Sequence, residues 1–387
     1  MNCSAANSIP PATRTGLRAD WRAVIRRNTL RYCALRGLEV IRRNTLRYCA
    51  LRGLEVIRRN TLRYCALRGL EVIRRNTLRY CALRGLLLLL ACLPAGLRAQ
   101  MPVADMHLHY KWSQQDVTSA VAAVELLARE HIIMGVVIGT PAELALELAR
   151  LAPGKIVPIF SPYQTGGDWH RWAYDEGVVV RARAALASGH YHGIGELHLI
   201  GGFAPRLDTA RVLPVLMDLA HEFDVPVLIH TEYSRPDVML DLCRRFPATR
   251  IVWAHAGAIL PPQAVARVFA ACGNVWAGLA ARDPWRFVDN PITTAHGQLL
   301  PEWRALLLQY PDRFMLGSDP VWPVEQLDSW DTADTGWQEL GRFWRFHRDW
   351  LGQLPADIAR GIGCRNAVTL FRRSAQVRCD GSAPDIE

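Results

Sequence analysis

From Val103 onward the chain alternates short, continuous apolar runs with longer stretches whose apolar residues recur at helical spacing. The runs predict strands over 103–110, 133–140, 156–163, 191–199, 225–233, 250–257, 274–280 and 313–321. The intervening patterns predict helices over 117–130, 141–151, 178–187, 209–223, 236–246, 262–272 and 301–310. Several of these open with proline, whose fixed φ and missing N–H suit a first helical turn. Strand-then-helix units need parallel strands joined by crossovers, so eight of them predict an α/β fold, a closed (β/α)8 TIM barrel, in residues 100–387. A doubly wound open sheet is the alternative, and no glycine-rich phosphate loop follows the first strand to support it. The segment after the eighth strand, 323–336 (PVEQLDSWDTADTG), is either a loop over the active-site face or a solvated connection.

The first hundred residues follow a different rule. The sixteen-residue unit VIRRNTLRYCALRGLE occupies 24–39, 40–55 and 56–71, and a fourth copy at 72–87 differs only in its last residue, Leu87. A solenoid constrains its core and lets surface positions diverge, whereas these copies are identical throughout, which points to duplicated coding sequence rather than a fold. The last copy runs into LRGLLLLLACLPAGLRAQ, which has the three parts of a secretory signal: an arginine-rich start, an apolar stretch over 86–93, and a small residue, Ala99, before a cut. The expectation is therefore a leader over 1–99, with tandem repeats at 24–87 and a signal peptide at about 74–99, followed by one catalytic domain over 100–387 that is exported to the periplasm or secreted. The apolar stretch is too short for a membrane span; a lipid anchor on Cys92 and a twin-arginine route are variants of the same expectation.

Charge divides at the same place. Residues 1–99 hold 20 arginines against four acids, leaving 26 basic and 32 acidic residues in the remainder, so the overall charge of +10 belongs to the leader. The domain itself is mildly acidic, which argues against nucleic acid as a partner and leaves a small-molecule substrate. Of ten cysteines, four (Cys243, Cys272, Cys364 and Cys379) lie beyond the leader at spacings that match no zinc motif. Cys243 and Cys272 fall in apolar helical patterns and are expected as buried free thiols, although an oxidising compartment would permit pairing.

Candidate chemistry collects at the predicted strand ends. DMHLHY at 105–110 puts His107 and His109 two apart, hence on one face of a strand with Met106 and Leu108 on the other, and two neutral imidazoles side by side suit a metal ion. Glu196 follows in GIGELHL, His230 in VLIHTEY, His255 in IVWAHAG and Asp319 in MLGSDPV. Taken singly, each is as well accounted for by a satisfied core histidine, a helix cap or an ion pair. Together they fall at the C-terminal ends of strands 1, 4, 5, 6 and 8, the face on which a barrel builds its site. His198 shares the face of Glu196 and is expected either to touch substrate or to orient that carboxylate. Arg282, just past strand 7, is expected to clamp a substrate carboxylate or to form a surface ion pair.

This series, with WAHAG, NVWAGLAAR, YPDRFMLGSD and IARGIGCRNAVTLF around it, resembles the amidohydrolase superfamily and, over roughly 103–372, its amidohydrolase-related (amidohydrolase 2) branch. The resemblance implies a metal-dependent barrel enzyme, commonly with zinc. It implies that His107, His109 and Asp319 hold one ion, that His230 completes that site or holds a second, and that Asp319 moves the proton between the attacking water and the leaving group. His255 would be a ligand in a two-ion site or a free imidazole that polarises the substrate. Strand 4 departs from the commonest two-ion pattern: Glu196 stands where a carboxylated lysine often bridges, although TatD-like relatives bridge with glutamate. The implied activity is hydrolysis of an amide, ester or lactone. Decarboxylation of an aromatic or unsaturated acid, or a barrel that binds ligand or metal without turnover, are the alternatives.

Overall fold

In the computed structural model, each of the eight apolar runs forms a parallel strand. They are β1 Val103–Lys111, β2 Ile132–Thr140, β3 Ile156–Ile159, β4 Ile194–Leu199, β5 Val227–Thr231, β6 Ile251–Trp253, β7 Val275–Gly278 and β8 Phe314–Met315. The structure describes residues 101–199, 205–231, 234–286, 289–323, 332–380 and 382. The expected leader, its repeats and its signal peptide, and most of the 323–336 segment, lie outside the described residues.

Strands β1 to β3 form one ladder and β4 to β8 another, each in sequential order. Two seams join them into a cylinder. Phe160 bridges Ile194 in parallel between β3 and β4, and Met106 N–H donates to Leu316 O (2.9 Å) while Asp319 N–H donates to His107 O (2.9 Å), closing β8 onto β1. The barrel is a (β/α)8 fold with all strands parallel, and the second seam ends on two candidate site residues.

Seven helices follow the first seven strands: α1 Ala120–Arg129, α2 Glu143–Leu151, α3 Glu176–Ala187, α4 Val212–Glu222, α5 Pro236–Arg245, α6 Pro262–Ala271 and α7 Pro301–Gln309. Proline occupies the first turn of α5, α6 and α7, and Ser119 and Asp175 accept backbone N–H groups at the starts of α1 and α3. Beyond β8 lies α8, Leu340–Leu351, which the strand-and-helix pattern above did not include. Its buried residues Leu340, Phe343, Trp344, His347, Trp350 and Leu351 recur at helical spacing, so its burial is legible in the sequence once the segment is read as a helix.

Inward-facing strand residues, among them Ala104, Met106, Val136, Leu228, Val252 and Met315, form one apolar cluster with the C-terminal segment around Phe371. A larger cluster lies between the strands and the helix layer. Cys243 and Cys272 depart from the expected free thiols by pairing across α5 and the end of α6, and Cys364, for which no state was expected, pairs with Cys379, with Cα separations of 5.9 and 5.8 Å that suit a disulfide. Apolar helical surroundings bury a half-cystine as readily as a thiol, so burial alone did not distinguish the two states.

Candidate metal centre

Two register shifts aim the site. On β1, Ala104 and Met106 belong to the interior cluster, whereas Val103 and Leu108 belong to the outer one. Simple alternation would therefore send His107 outward. The pairing with β2 slips between Asp105 and Leu108, which restores His107 and His109 to the inside. Met106 thus faces the barrel interior with the histidines rather than opposite them, as plain alternation had suggested; Leu108 does face away. On β4, Ile194, Leu197 and Leu199 all point outward, and a slip between Ile194 and Leu197 is what turns Glu196 and His198 inward. Gly195 permits it: φ is +139°, and a Cβ there would sit 2.5 Å from Leu228 O.

The inward side chains converge on Glu196, which is 1% exposed. Its Oε2 lies 3.2 Å from His107 Nε2 and 3.0 Å from His109 Nε2, and these two nitrogens are 3.0 Å apart. Its Oε1 lies 3.2 Å from His230 Nδ1 and 3.7 Å from His255 Nε2. Asp319 Oδ1 approaches His109 and His107 at 3.8 and 3.9 Å, and its Oδ2 is 3.8 Å from His255 Nε2. The six residues expected as ligands are therefore together, although they span more than two hundred positions of the chain.

The donor set fits a divalent cation. Tetrahedral donors about 2.0–2.1 Å from one ion stand roughly 3.3 Å apart, close to the 3.0–3.2 Å triangle of His107, His109 and Glu196. Among the described residues Glu196 Oε1 is buried without a well-directed hydrogen bond, its approach to His230 Nδ1 at 3.2 Å being a contact of charge and lone pair, an expensive state for a carboxylate oxygen without a cation. His255 Nδ1 lies 2.9 Å from Ala280 O, so that it carries the proton and Nε2 is left as a lone-pair donor toward the cluster.

Electrostatics give the same answer. Burial disfavours charge on both carboxylates, yet His107, with His198 for Glu196 and His255 for Asp319, holds each below the ordinary carboxylate range. Burial likewise disfavours charge on His107, but Glu196 and Asp319 overcome it and push the imidazole up to about 9. His255 is pulled down to about 3 by burial and by its neighbours His230 and His107. Two buried anions call for positive charge at this spot, and a proton on His107 is the substitute the chain itself can offer.

His198 lies beside the cluster with Nε2 3.7 Å from Glu196 Oε2. The Tyr163 hydroxyl accepts its backbone N–H (3.1 Å) and sits 3.1 Å from its Nδ1, while the Trp169 ring stacks on the imidazole at 4.0 Å. Burial holds His198 well below its ordinary value, so it is a neutral ring that Tyr163 and Trp169 fix beside the carboxylate.

Arg282 lies just past β7, as expected, but its partners are others than a carboxylate. It is 1% exposed, and its guanidinium donates to the carbonyls of His255 (2.7 Å), Ala256 (2.8 Å), Leu260 (3.0 Å) and Asn290 (2.9 Å), over the face of Trp303. It therefore neither faces a substrate carboxylate nor forms a surface pair. The turn it grips holds His255, Ala256, Gly257 and Ala258 in the left-handed region (φ of 55°, 49°, 75° and 52°), at about 1–2 kcal/mol for each non-glycine residue.

Two further residues were not anticipated. Asp105, fully buried, accepts from His107 N–H, Ser318 N–H, Ser318 Oγ–H and Trp344 Nε1–H, binding β1 to the segment that carries Asp319. Arg286 donates to Ser318 O (2.8 Å) and Asp319 O (2.5 Å) and is paired with Asp283. A charged residue two positions before His-x-His inside an apolar run, and a second arginine four after Arg282, were the available signals.

The pattern of the amidohydrolase 2 family, described as Amidohydrolase, matches residues 104–373. The chain belongs to that family. It is thus an enzyme of the metal-dependent hydrolase superfamily, whose members use divalent metals. The solved structures it is similar to include YjjV, a TatD homologue from Escherichia coli K12 (19% identity, 70% of this chain and 98% of that one, TM-score 0.49). An amidohydrolase from Burkholderia multivorans with bound zinc (16%, 70% and 99%, 0.41) and amidohydrolase 2 from Bifidobacterium longum subsp. infantis (14%, 70% and 99%, 0.41) are others. No curated protein matches the chain.

Proposed function

We propose that the protein is a hydrolase of a small-molecule amide, ester or lactone that would hold two divalent ions, zinc by preference, on His107, His109, Glu196, His230, His255 and Asp319. The observation that carries this reading is the division of one buried carboxylate: Oε2 faces His107 and His109, while Oε1 faces His230 and His255. Asp319 would join the first pair and His255 would serve the second. A divalent ion held there would supply Lewis acidity, making water a stronger acid and a carbonyl more electrophilic.

The remaining steps belong to the chain. Asp319, kept ionised chiefly by His107, accepts the proton of the attacking water and returns it to the leaving group. Its carbonyl and that of Ser318 are held by Arg286, which restricts where the carboxylate can swing. His198, fixed by Tyr163 and Trp169 with Nε2 3.7 Å from Glu196 Oε2, would help to orient that carboxylate or meet substrate. The two disulfides suit an oxidising compartment and so support the export proposed from the leader. Among the described residues no helix is long and apolar enough to cross a membrane.

The test is elemental analysis of the purified protein, then turnover of amide, ester and lactone panels set against carbon dioxide release from aromatic and unsaturated acids. Two equivalents of metal and acid release from one hydrolytic panel are expected. Carbon dioxide release alone would replace hydrolysis with decarboxylation, and a metal-loaded protein inert toward both panels would be a binding barrel.

A further inference from the structure

Among the described residues the loop after β7 contributes no side chain to the cluster, yet it places two buried guanidiniums on the backbone of two cluster residues. Arg282 grips the carbonyls of His255 and Ala256, at the start of the left-handed turn that follows β6. Arg286 grips the carbonyls of Ser318 and Asp319, and Asp319 is itself left-handed with φ of 45°. In both cases a side chain with a donor role in the cluster sits on backbone that an L-residue adopts reluctantly, and in both an arginine fork satisfies the carbonyls of that backbone.

The chemistry of the two arginines separates them from ordinary ion pairs. Arg282 has four carbonyl acceptors and, among the described residues, no carboxylate partner, so its buried charge is neutralised by backbone dipoles and by the Trp303 face. Arg286 lies over Phe343 at 3.9 Å and is anchored by Asp283, itself 1% exposed. A lysine carries the charge but not the planar fork, and cannot bond two successive carbonyls in fixed directions. The donors of both guanidiniums are turned to main-chain carbonyls, and in Arg286 also to Asp283, rather than to the side chains of the cluster.

We infer that Arg282 and Arg286 are positioning residues for the metal centre: they hold the backbones of His255 and Asp319 so that both side chains reach the same cation-binding cluster. The inference rests on the metal-centre reading above. It assigns to the β7 loop a function that strands 6 and 8 cannot perform for themselves, because β6 ends at Trp253 and β8 at Met315, before the left-handed His255 and Asp319.

The experiment uses the full chain with Arg282→Lys, Arg282→Gln, Arg286→Lys and Arg286→Gln, stripped of metal and titrated with zinc and with cobalt(II) against a competing chelator. Alongside are the visible spectrum of the cobalt form and the thermal midpoint of the metal-free form. Each folded variant is expected to bind 10- to 100-fold more weakly, with an altered cobalt spectrum and no full rescue by lysine. Wild-type affinity and spectrum in folded Lys variants would overturn the inference, whatever their midpoints, because a purely structural arginine would lower the midpoint alone. Should the Gln variants fail to fold, the Lys variants, which keep charge and most of the volume, decide. If the unaltered protein binds neither zinc nor cobalt, it is the metal-centre reading that fails instead.

Discussion

Replacing Gly195 by alanine tests the idea that a slipped strand aims Glu196. The added Cβ would stand 2.5 Å from Leu228 O and 2.8 Å from Leu228 Cβ, both on the neighbouring strand. Reaching ordinary contact near 3.4 Å requires β4 and β5 to separate locally by about 0.9 Å. Overpacking of this kind costs roughly 1–3 kcal/mol, and holding alanine at φ of +139° adds roughly 1–3 kcal/mol. The sum, about 2–6 kcal/mol, is a large share of the roughly 5–15 kcal/mol that holds a typical domain together. Because Glu196 is the next residue, the same displacement moves its oxygens away from His107 and His109. Urea unfolding of the metal-free protein and chelator competition with the loaded one measure the two effects. Both the midpoint and the ion affinity are expected to fall. Wild-type values for both would refute the steric argument, and a lower midpoint with unchanged affinity would show that the glycine serves packing without aiming the carboxylate.

Three other outcomes follow from the same geometry. Asp319→Asn keeps shape and removes the proton acceptor, so metal content should stay near normal while turnover of whichever substrate the panels identify falls about 10²–10⁴-fold; near-normal turnover would remove its assigned role. Stripping the metal should abolish turnover and lower the melting temperature, with both restored by added zinc, since an ion present at about a thousand times its dissociation constant stabilises by roughly 4 kcal/mol; activity that survives complete removal, verified by elemental analysis, would contradict the metal centre. His347, with Nε2 3.0 Å from Gly317 O and Nδ1 accepting from Trp350, is pulled down to about 3 by burial and by Arg286. A depressed folded value means its contribution is present above about 6.5 and lost as the pH falls toward 3, so between pH 7 and 5 the protein should lose roughly 2 kcal/mol more stability than His347→Gln does, and equal slopes for the two in denaturant titrations would show that the ring is not held neutral.

Much of the architecture could be read from the chain because parallel strands buried on both faces announce themselves as unbroken apolar runs, and crossovers as helical patterns between them. The ends were less legible. The sequence reading continued β8 to residue 321, whereas the ladder stops at Met315 and the following residues turn through a left-handed Asp319. An apolar run marks burial, and burial continues past the last ladder bond wherever the chain dives into the site. The same distinction accounts for β6, where Ile251–Trp253 gives way at once to the left-handed turn bearing His255.

The donor residues were visible as polar residues at strand ends, but what brings them to one point was not. Period-two alternation placed His107 and His109 on a common face correctly, and yet that face would have been the outer one without the slip at Asp105–Leu108. A slip leaves no compositional mark beyond a glycine such as Gly195, and a glycine marks a tight turn or a close backbone approach just as readily. Arg282 shows the complementary failure. A lone arginine past a barrel strand reads as an anion clamp because side-chain carboxylates and phosphates are the acceptors one thinks of, whereas its acceptors here are main-chain carbonyls that every sequence contains and none displays. Carbonyls turned out of a ladder by left-handed backbone must be satisfied when buried. A barrel that bends its strand ends inward to assemble a site therefore creates a demand for buried donors just behind it, and Arg282, Arg286 and the Asp105 network mark where that demand falls.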